Sequence, residues 1–525
     1  MSSISVAQAS ARGTLILFVG NLLSTGIVTV ATIFVARLLG PDGYGLYTLA
    51  FLVPTILQLF VGFGVSSAVT RYVAYFLSTG DVARAASMTR TAVIFSLLFG
   101  LALSAVNFVV APYFVVAFMH RPELVQYEQV SSLFILGVAI SQCSTSALLG
   151  WGSMVQVGLF TVFQSVLKIV FGVGLILAGF GVYGAVIGHV ASYMVQGCVV
   201  SLAIYFARVR PWPRQSSHFV EDVKTMLKYG LPLFAGTVAS GLATQYATVI
   251  LATVVANTVI GYYQAALNVN VPIGVISGAV ASVLFRSFAE LHGLEEDISL
   301  AFAYAVKYVS LISTPIVFFL LATAAPLFDL FYGPAYSPGI LLLKLVAISN
   351  LPVAIGLTVL PSFFNGIGKS RFTMLISIIS ALSLVLGSLV LVVSLGLGAE
   401  GIIFAILVSN LAIVVPGLLL AVRFLDVHIA VKPLFGIFLA GLVAWLVVAL
   451  LPLGGLLSAE ELLIESLIYL LVYLTLVPVF FGINQDDLVR LSIAVDTMGP
   501  IRTIFGAFLG YERRILQLMR GGGVH

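Results

Sequence analysis

Charge is scarce in this chain: 8% of its 525 residues are Asp, Glu, Lys or Arg, while 61% are hydrophobic. A water-soluble globule carries roughly 25% charged residues, so the shortage excludes one, as does the mean hydropathy of +1.16. Cysteine is nearly absent. Cys143 and Cys198 both fall in apolar runs, read as small buried residues, and imply neither a disulfide nor a metal site. No nucleophile arrangement, carboxylate pair or metal-ligand spacing stands out, so nothing points to an enzyme and no cofactor is expected. Gly366-Ile367-Gly368-Lys369-Ser370 fails as a P-loop, because Phe363 stands where the leading glycine is needed and no strand precedes it. The net charge of +4 reflects basic loop ends and suggests no nucleic-acid surface.

What the chain has in abundance is apolar runs of about 20 residues, the length that crosses ~30 Å of hydrocarbon as a helix. They number about fourteen, opening with 14–36 and 46–69, continuing through 130–149, 154–177, 182–206 and 340–362, and closing with 463–482. Long uniform runs satisfy their own backbone only as helices, whereas barrel strands alternate over ~10 residues. The expected class is therefore an all-α polytopic membrane protein. The first run is too long for a signal-peptide core and is read as a retained span.

An internal duplication organises these runs. Offset by 216, Asn21 falls on Thr237, Ser24 on Ser240, Thr29 on Gln245, Gly45 on Gly261, Tyr47 on Tyr263, Gly150 on Gly366 and Gly152 on Gly368. Gly181 and Gly184 reach Gly398 and Gly401 after a one-residue slip. The period far exceeds that of a solenoid. Two six-helix parallel repeats plus two C-terminal helices follow, divided as a first bundle (1–207), a cytoplasmic linker with an amphipathic helix (208–229), a second bundle (230–423), two additional spans (424–483) and a cytoplasmic amphipathic tail (484–525). With the N-terminus inside, nineteen of the twenty-four Lys and Arg residues fall on inner segments, which makes both termini cytoplasmic.

Polar residues inside the spans are the functional candidates. Asn21, Ser24, Thr29 and Thr32 lie near one helical face, matched by Thr237, Ser240, Gln245 and Thr248. Such stripes serve either as intramembrane glue, worth ~0.6 kcal/mol per bond, or as a shared polar lining. Lys168, near the middle of its span, carries an insertion penalty of ~2.5–3.5 kcal/mol, so an inward face or a partner is expected, and it is the first candidate for a buried anion contact. Arg71 and Arg286 close repeat-equivalent helices and either snorkel or meet a lipid phosphate. Lys307 and Lys344 sit at span ends and fit snorkelling, while His189 fits a satisfied core residue. Pro54 and Pro272 are placed either as matched hinges or as packing features. In the linker, Phe219, Val223, Met226 and Leu227 form an apolar face opposed by Asp222, Lys224 and Lys228; in the tail, Leu488, Leu491, Val495 and Met498 form another.

The turn Ala36-Arg37-Leu38-Leu39-Gly40-Pro41-Asp42-Gly43-Tyr44-Gly45, the run Phe63-Gly64-Val65-Ser66-Ser67-Ala68, and Pro326-Leu327-Phe328-Asp329-Leu330-Phe331-Tyr332-Gly333-Pro334 carry a resemblance. They resemble the polysaccharide transporter and lipid-linked oligosaccharide flippase family of the multidrug/oligosaccharidyl-lipid/polysaccharide exporter superfamily. The resemblance implies a flippase in the cell (plasma or inner) membrane moving a polyprenyl-phosphate- or pyrophosphate-linked glycan outward by alternating access, with membrane lipids and glycan biosynthesis enzymes as partners. Lys168, Arg71 and Arg286 would then engage phosphate, and Asn21, Thr25, Thr29, Gln142, Gln245, Gln264 and Asn268 would meet sugar hydroxyls. Alternatives are a cation-coupled drug or metabolite antiporter, disfavoured by the lack of a carboxylate between Thr14 and Arg37, and a membrane glycosyltransferase or polymerase, disfavoured by the short loops.

Overall fold

The computed structural model describes residues 3–212, 219–293, 297–451, 457–496 and 502–521, and only the backbone is described at 3–16, 18, 62, 232–233, 235–237, 239–240, 243–244, 293, 493–496, 502–505 and 519–521. Those residues form helices and connecting turns without a strand. The helices are α1 (Ser3–Leu49), α2 (Leu52–Gln58), α3 (Val65–Ser78), α4 (Val82–Ala117), α5 (Val125–Gly150), α6 (Met154–Leu175), α7 (Gly181–Ile204), α8 (Phe219–Val254) and α9 (Asn257–Gly293). They continue as α10 (Ile298–Ala322), α11 (Ala324–Tyr332), α12 (Gly339–Ser349), α13 (Leu351–Ala354), α14 (Val359–Gly366), α15 (Ser370–Ser388), α16 (Gly398–Leu425), α17 (Val431–Ala449) and α18 (Ser458–Val479). Two tail helices, α19 (Gln485–Asp496) and α20 (Arg502–Gly521), end the described chain.

Eleven stretches among the described residues are long and apolar enough to span a membrane. The sequence predicts about fourteen; continuity removes two of them, and the run 230–254 is represented among the described residues only by the shorter apolar helix Gln245–Val254. Val19–Gln58 and Met154–Val209 each hold two of the expected runs, joined without an interval long enough to divide them. In the first, the expected tight turn is a single kink: Gly40 takes φ 67°, and Pro41, which has no N–H to satisfy, opens the arm that resumes the helix.

The chain divides into two compact units, Met1–Gln264 and Ala265–His525, with the boundary inside α9. In the first, the mostly buried α5 is surrounded by α2, α3, α4 and α7. Glycines let the helices close together, as lipid-embedded packing requires. Cβ atoms at Gly20, Gly188 and Gly137 would meet the Gly158 backbone, the Gly172 backbone and the Met194 N–H, respectively. The contacts of Gly20 with Gly158, Ser24 with Ser165 and Val35 with Gly172 rise together along both chains, so α1 and α6 run parallel. By the same test α6 and α7 are antiparallel, since Gln164 meets Ser192 and Gly172 meets Gly188.

In the second unit, α10 and the α12–α14 stretch are the most buried. One apolar cluster joins α10, α17 and α18 through Val317, Phe318, Ala440, Ala444, Tyr469 and Tyr473. Another joins α9, α10, α14 and α16 through Phe288, Phe302, Phe363 and Ala421. Local sequence sets the helix starts: the Asp81 and Asp297 carboxylates cap α4 and α10 by accepting from the Arg84 and Leu300 N–H groups at 2.9 and 3.1 Å.

The duplication is legible in the backbone. Gly152 and Gly368 take φ 71° and 74°, and Gly181 and Gly398, matched after the one-residue slip, take 52° and 54°. A π-helical turn precedes each member of the second pair, at Ile176–Phe180 and Leu389–Ser394. The breaks do not match. The first copy interrupts its second span, where α2 gives way to Val61–Gly64 and α3, while the corresponding α9 is continuous through Pro272. The second copy interrupts its fourth span at Gly356, φ 122°, while the corresponding α5 is unbroken. Pro54 sits in the first turn of α2, where its missing N–H costs little, so Pro54 and Pro272 do not form the matched pair that hinges would require.

Two charged segments differ from expectation. The linker helix is not separate: α8 runs unbroken from Phe219 to Val254, and Asp222 lies buried rather than opposite the apolar face. The Arg84 guanidinium pairs with Asp222, and the Thr91 hydroxyl donates to it at 3.2 Å, while Met226 is buried beside Val223 and Leu227. Lys307 does not snorkel. Only 5% of its side chain is exposed, and its ammonium lies 2.5 Å from Asp487 of α19, which also accepts from the Tyr308 hydroxyl at 3.3 Å. Leu488 is buried beside this pair; Met498 lies outside the described residues, as does the side chain of Val495.

Candidate functional site

The parallel pairing of α1 with α6 sets Lys168 level with residues 28–31 of α1, and the antiparallel pairing with α7 sets it level with His189. Lys168 is half-buried and forms no ion pair or hydrogen bond among the described residues. The His189 ring lies within its electrostatic reach. That ring shares a 2.7 Å hydrogen bond with the Tyr47 hydroxyl and packs among Phe51, Phe134 and Tyr193, with centroids 4.3, 5.3 and 5.6 Å away. The expected core histidine is thus held by Tyr47 and walled by aromatics. A cation in low dielectric is costly until a partner answers its charge.

The hydroxyl stripe on α1 divides. Ser24 is buried, 2.5 Å from Ser165 on α6, and acts as glue between the helices. Thr25, Thr29 and Thr32 are half-buried and donate to the carbonyls of Asn21, Thr25 and Val28 at 2.8, 2.8 and 2.7 Å. Asn21 itself is exposed. Their donors are spent on the backbone, while each hydroxyl oxygen keeps capacity to accept. The side chains of Thr237 and Ser240 lie outside the described residues; Gln245 is half-buried.

The remaining candidates are dispersed. The Arg71 guanidinium is exposed and lies 4.3 Å from the Tyr229 ring centroid, a cation–π contact. Arg286 is exposed and pairs with Glu290 one turn on, at 2.7 Å, so its charge is already answered. Gln142 is exposed on α5 and Gln264 half-buried at the end of the first unit. Asn268, in the second unit, bonds the Tyr332 hydroxyl. Lys344 is exposed. No group of acidic, Cys and His side chains suited to a metal occurs among the described residues.

Sequence reasoning passed over two carboxylates. Glu128 is fully buried in α5, and neither of its oxygens has a hydrogen-bond partner in good geometry; the Val53 amide and the Ser131 hydroxyl face it. Around it Ser131 donates to the Ala50 carbonyl, and the Asn107 amide to Ser132 at 2.8 Å. Arg121, close in sequence, is committed elsewhere, to Asn257 and to the Ala252 and Val255 carbonyls. Trimming the fourth apolar run to 130 had left Glu128 in a loop, whereas the helix begins at Val125. Glu465 in α18 is also buried, with one oxygen unpaired and Lys344 within electrostatic reach.

These features define a polytopic α-helical membrane protein whose first unit sets a half-buried lysine near an aromatic-walled histidine. Solved structures share its fold. It is similar to the structure titled “Lipid II flippase MurJ, inward closed conformation”, with a TM-score of 0.71 and 18% identity over 89% of this chain and 99% of that one. It is also similar to an inward-facing multidrug resistance MATE family transporter of the MOP superfamily, with a TM-score of 0.63 and 19% identity over 81% and 95%. The chain belongs to the family described as “Polysaccharide biosynthesis protein”, which matches residues 34–341. A curated relative, “Lipopolysaccharide biosynthesis protein WzxC” of Escherichia coli (strain K12), is 27% identical over 170 residues, 32% of this chain. The match spans about a third of that relative's length, 34%.

Proposed function

We propose that the chain is a flippase that carries a lipid-linked oligosaccharide or polysaccharide repeat unit from the cytoplasmic to the outer leaflet of the cell membrane by alternating access, both termini being cytoplasmic. The observation that carries this reading is Lys168, a cation inside a membrane-length helix with no ion-paired carboxylate among the described residues. A phosphorylated glycan head cannot cross hydrocarbon unaided, because its desolvated charge is too costly. A lysine already desolvated lowers that cost for a phosphate or pyrophosphate and excludes neutral lipids. Thr25 and Thr29, level with the approach to Lys168 and retaining acceptor capacity, suit sugar hydroxyls, with Asn21 beyond them. Family membership and the likeness to a lipid II flippase support the same substrate class. The test is reconstitution of the full chain into vesicles loaded with fluorescent polyprenyl-pyrophosphate oligosaccharide, scored by probe exposure on the far leaflet. Translocation no faster than in protein-free vesicles would overturn the proposal.

Glu128 favours a second reading, in which transport is coupled to a cation. A carboxylate buried without an ion pair among the described residues can exchange a proton when the helices around it open. Coupling predicts that an imposed pH gradient changes the flux and that Glu128→Gln removes this response while protein abundance holds. A flux indifferent to gradients of protons and sodium would exclude it.

A further inference from the structure

The first unit holds a second apolar feature, distinct from the surroundings of Lys168. Between α6 and α7 lies a cavity of about 200 Å³, walled by Leu148, Leu159, Phe160 and Ile204. Ala203 and Ala207 form its other side, and both are exposed, as is Leu159 at 65%, so the slot opens on the lipid-facing surface of the unit. At one end stand the Gln156 amide and the Arg208 guanidinium. The local backbone places that arginine. After Ile204, α7 relaxes into a π-helical turn, Tyr205–Val209, and Arg208 comes half-buried to 3.4 Å from the Ser153 hydroxyl and 5.6 Å from the Trp151 ring centroid. Arg208 has no carboxylate partner among the described residues. Arg210, next along the chain but one, lies against Phe206 and is exposed.

We propose that this slot is a binding site for a resident anionic glycerophospholipid, one acyl chain lying between α6 and α7 and the headgroup phosphate on Arg208. Charge complementarity selects the class: a greasy channel ending in one unanswered guanidinium beside a tryptophan fits an acyl chain joined to a phosphate at the membrane interface. The lipid is a resident rather than the transported carrier because of where Lys168 stands. Lys168 is twelve positions along α6 from Gln156, about 18 Å away and about 120° round the helix, so a headgroup on Arg208 cannot also reach it. Held there, the lipid pins α6 against α7 at the end of the unit that carries the basic residues.

The experiment uses the purified full chain in detergent and native mass spectrometry, titrating phosphatidylglycerol and phosphatidylcholine of identical acyl chains. Wild-type protein should retain phosphatidylglycerol about fivefold more tightly, the contribution of one interfacial arginine. Arg208→Gln should bring the two lipids to parity. Ala203→Leu, a lipid-facing change that leaves the fold undisturbed, should weaken both by filling the slot. A headgroup preference unchanged by Arg208→Gln, or binding unchanged by Ala203→Leu, overturns the site. Undecaprenyl phosphate displacing phosphatidylglycerol from wild type but not from Ala203→Leu overturns the resident assignment and gives the slot to the carrier. None of these outcomes depends on whether the chain translocates glycans.

Discussion

Gly45 and Gly261, one repeat length apart, are each pressed against the backbone of the other's turn. A Cβ on Gly45 would overlap the Asn257 carbonyl, and one on Gly261 would overlap the Pro41 carbonyl. Pro41 and Asn257 are themselves repeat equivalents, and so are Asp42 and Thr258, whose side chains meet at 3.4 Å with a sequence separation of 216. The two copies of the turn therefore touch reciprocally, as surfaces related by a two-fold axis do. Gly45→Ala and Gly261→Ala should each destabilise the protein by about 1–3 kcal/mol through overpacking. Gly26→Ala, which meets nothing within 4 Å, should be neutral or slightly stabilising. Thermal unfolding of the detergent-solubilised chain checks the contrast, and equal melting temperatures for Gly26→Ala and Gly45→Ala would contradict it.

Lys168→Ala should reduce translocation roughly ten- to hundredfold, the worth of one charge-assisted bond to phosphate at about 1.5–3 kcal/mol. Lys168→Arg keeps the charge and should retain more activity than Lys168→Ala. Flux normalised to abundance is the measurement. A wild-type rate in Lys168→Ala removes the residue from the mechanism, and a loss confined to protein level reassigns it to packing.

Lys307 and Asp487 join helices 180 residues apart in sequence, and both are nearly buried, at 5% and 1% side-chain exposure. Removing one partner strands the other charge, so Lys307→Met or Asp487→Leu alone should cost about 3–5 kcal/mol. Together they replace the pair by apolar groups and should recover most of that loss. Limited proteolysis of residues 485–518 gives the readout. Additive damage in the double variant would mean that the pair is not what holds α19.

Glu512 in α20 is buried with one oxygen unpaired, and burial pushes its carboxyl up to about 8 from an ordinary value of 4.5. Its neutral form is the one the folded tail accepts. The docked state is fully favoured below the unfolded value, near pH 4.5, and loses stability as pH rises through about 8. The amide-exchange protection factors of residues 506–518, taken against the unstructured rate at each pH, should fall across that window by about an order of magnitude or more. Glu512→Gln should hold the high, low-pH protection throughout, and wild-type protection factors constant from pH 5 to 8 would refute the assignment.

Much of this architecture was legible in the sequence because membrane burial constrains whole runs of residues. The apolar runs gave the helices, and the matched Gly152/Gly368 and Gly181/Gly398 pairs recurred as matched backbone turns. Lys168 stood out because a lone cation in an apolar run is costly wherever its side chain points. What was not legible depends on partners distant in the chain or on where a helix begins. Asp487 turned Lys307 from an interfacial residue into a buried one. About a turn and a half of ambiguity at the start of α5 hid Glu128, because hydropathy windows cut away the charged residues at the rim of a run. The stripe on α1 gave its spacing but not its bonding, since Ser24 crosses to Ser165 while its neighbours bond their own helix.

The mismatched helix breaks have an evolutionary corollary. One copy is interrupted near Val61–Gly64 and the other at Gly356, so the duplicated halves no longer bend at corresponding points. Substitutions that stiffen or loosen the protein should therefore map to unrelated positions in the two copies. A gene rebuilt from two identical halves would inherit either both pliable points or neither, and so could not reproduce the natural division of labour.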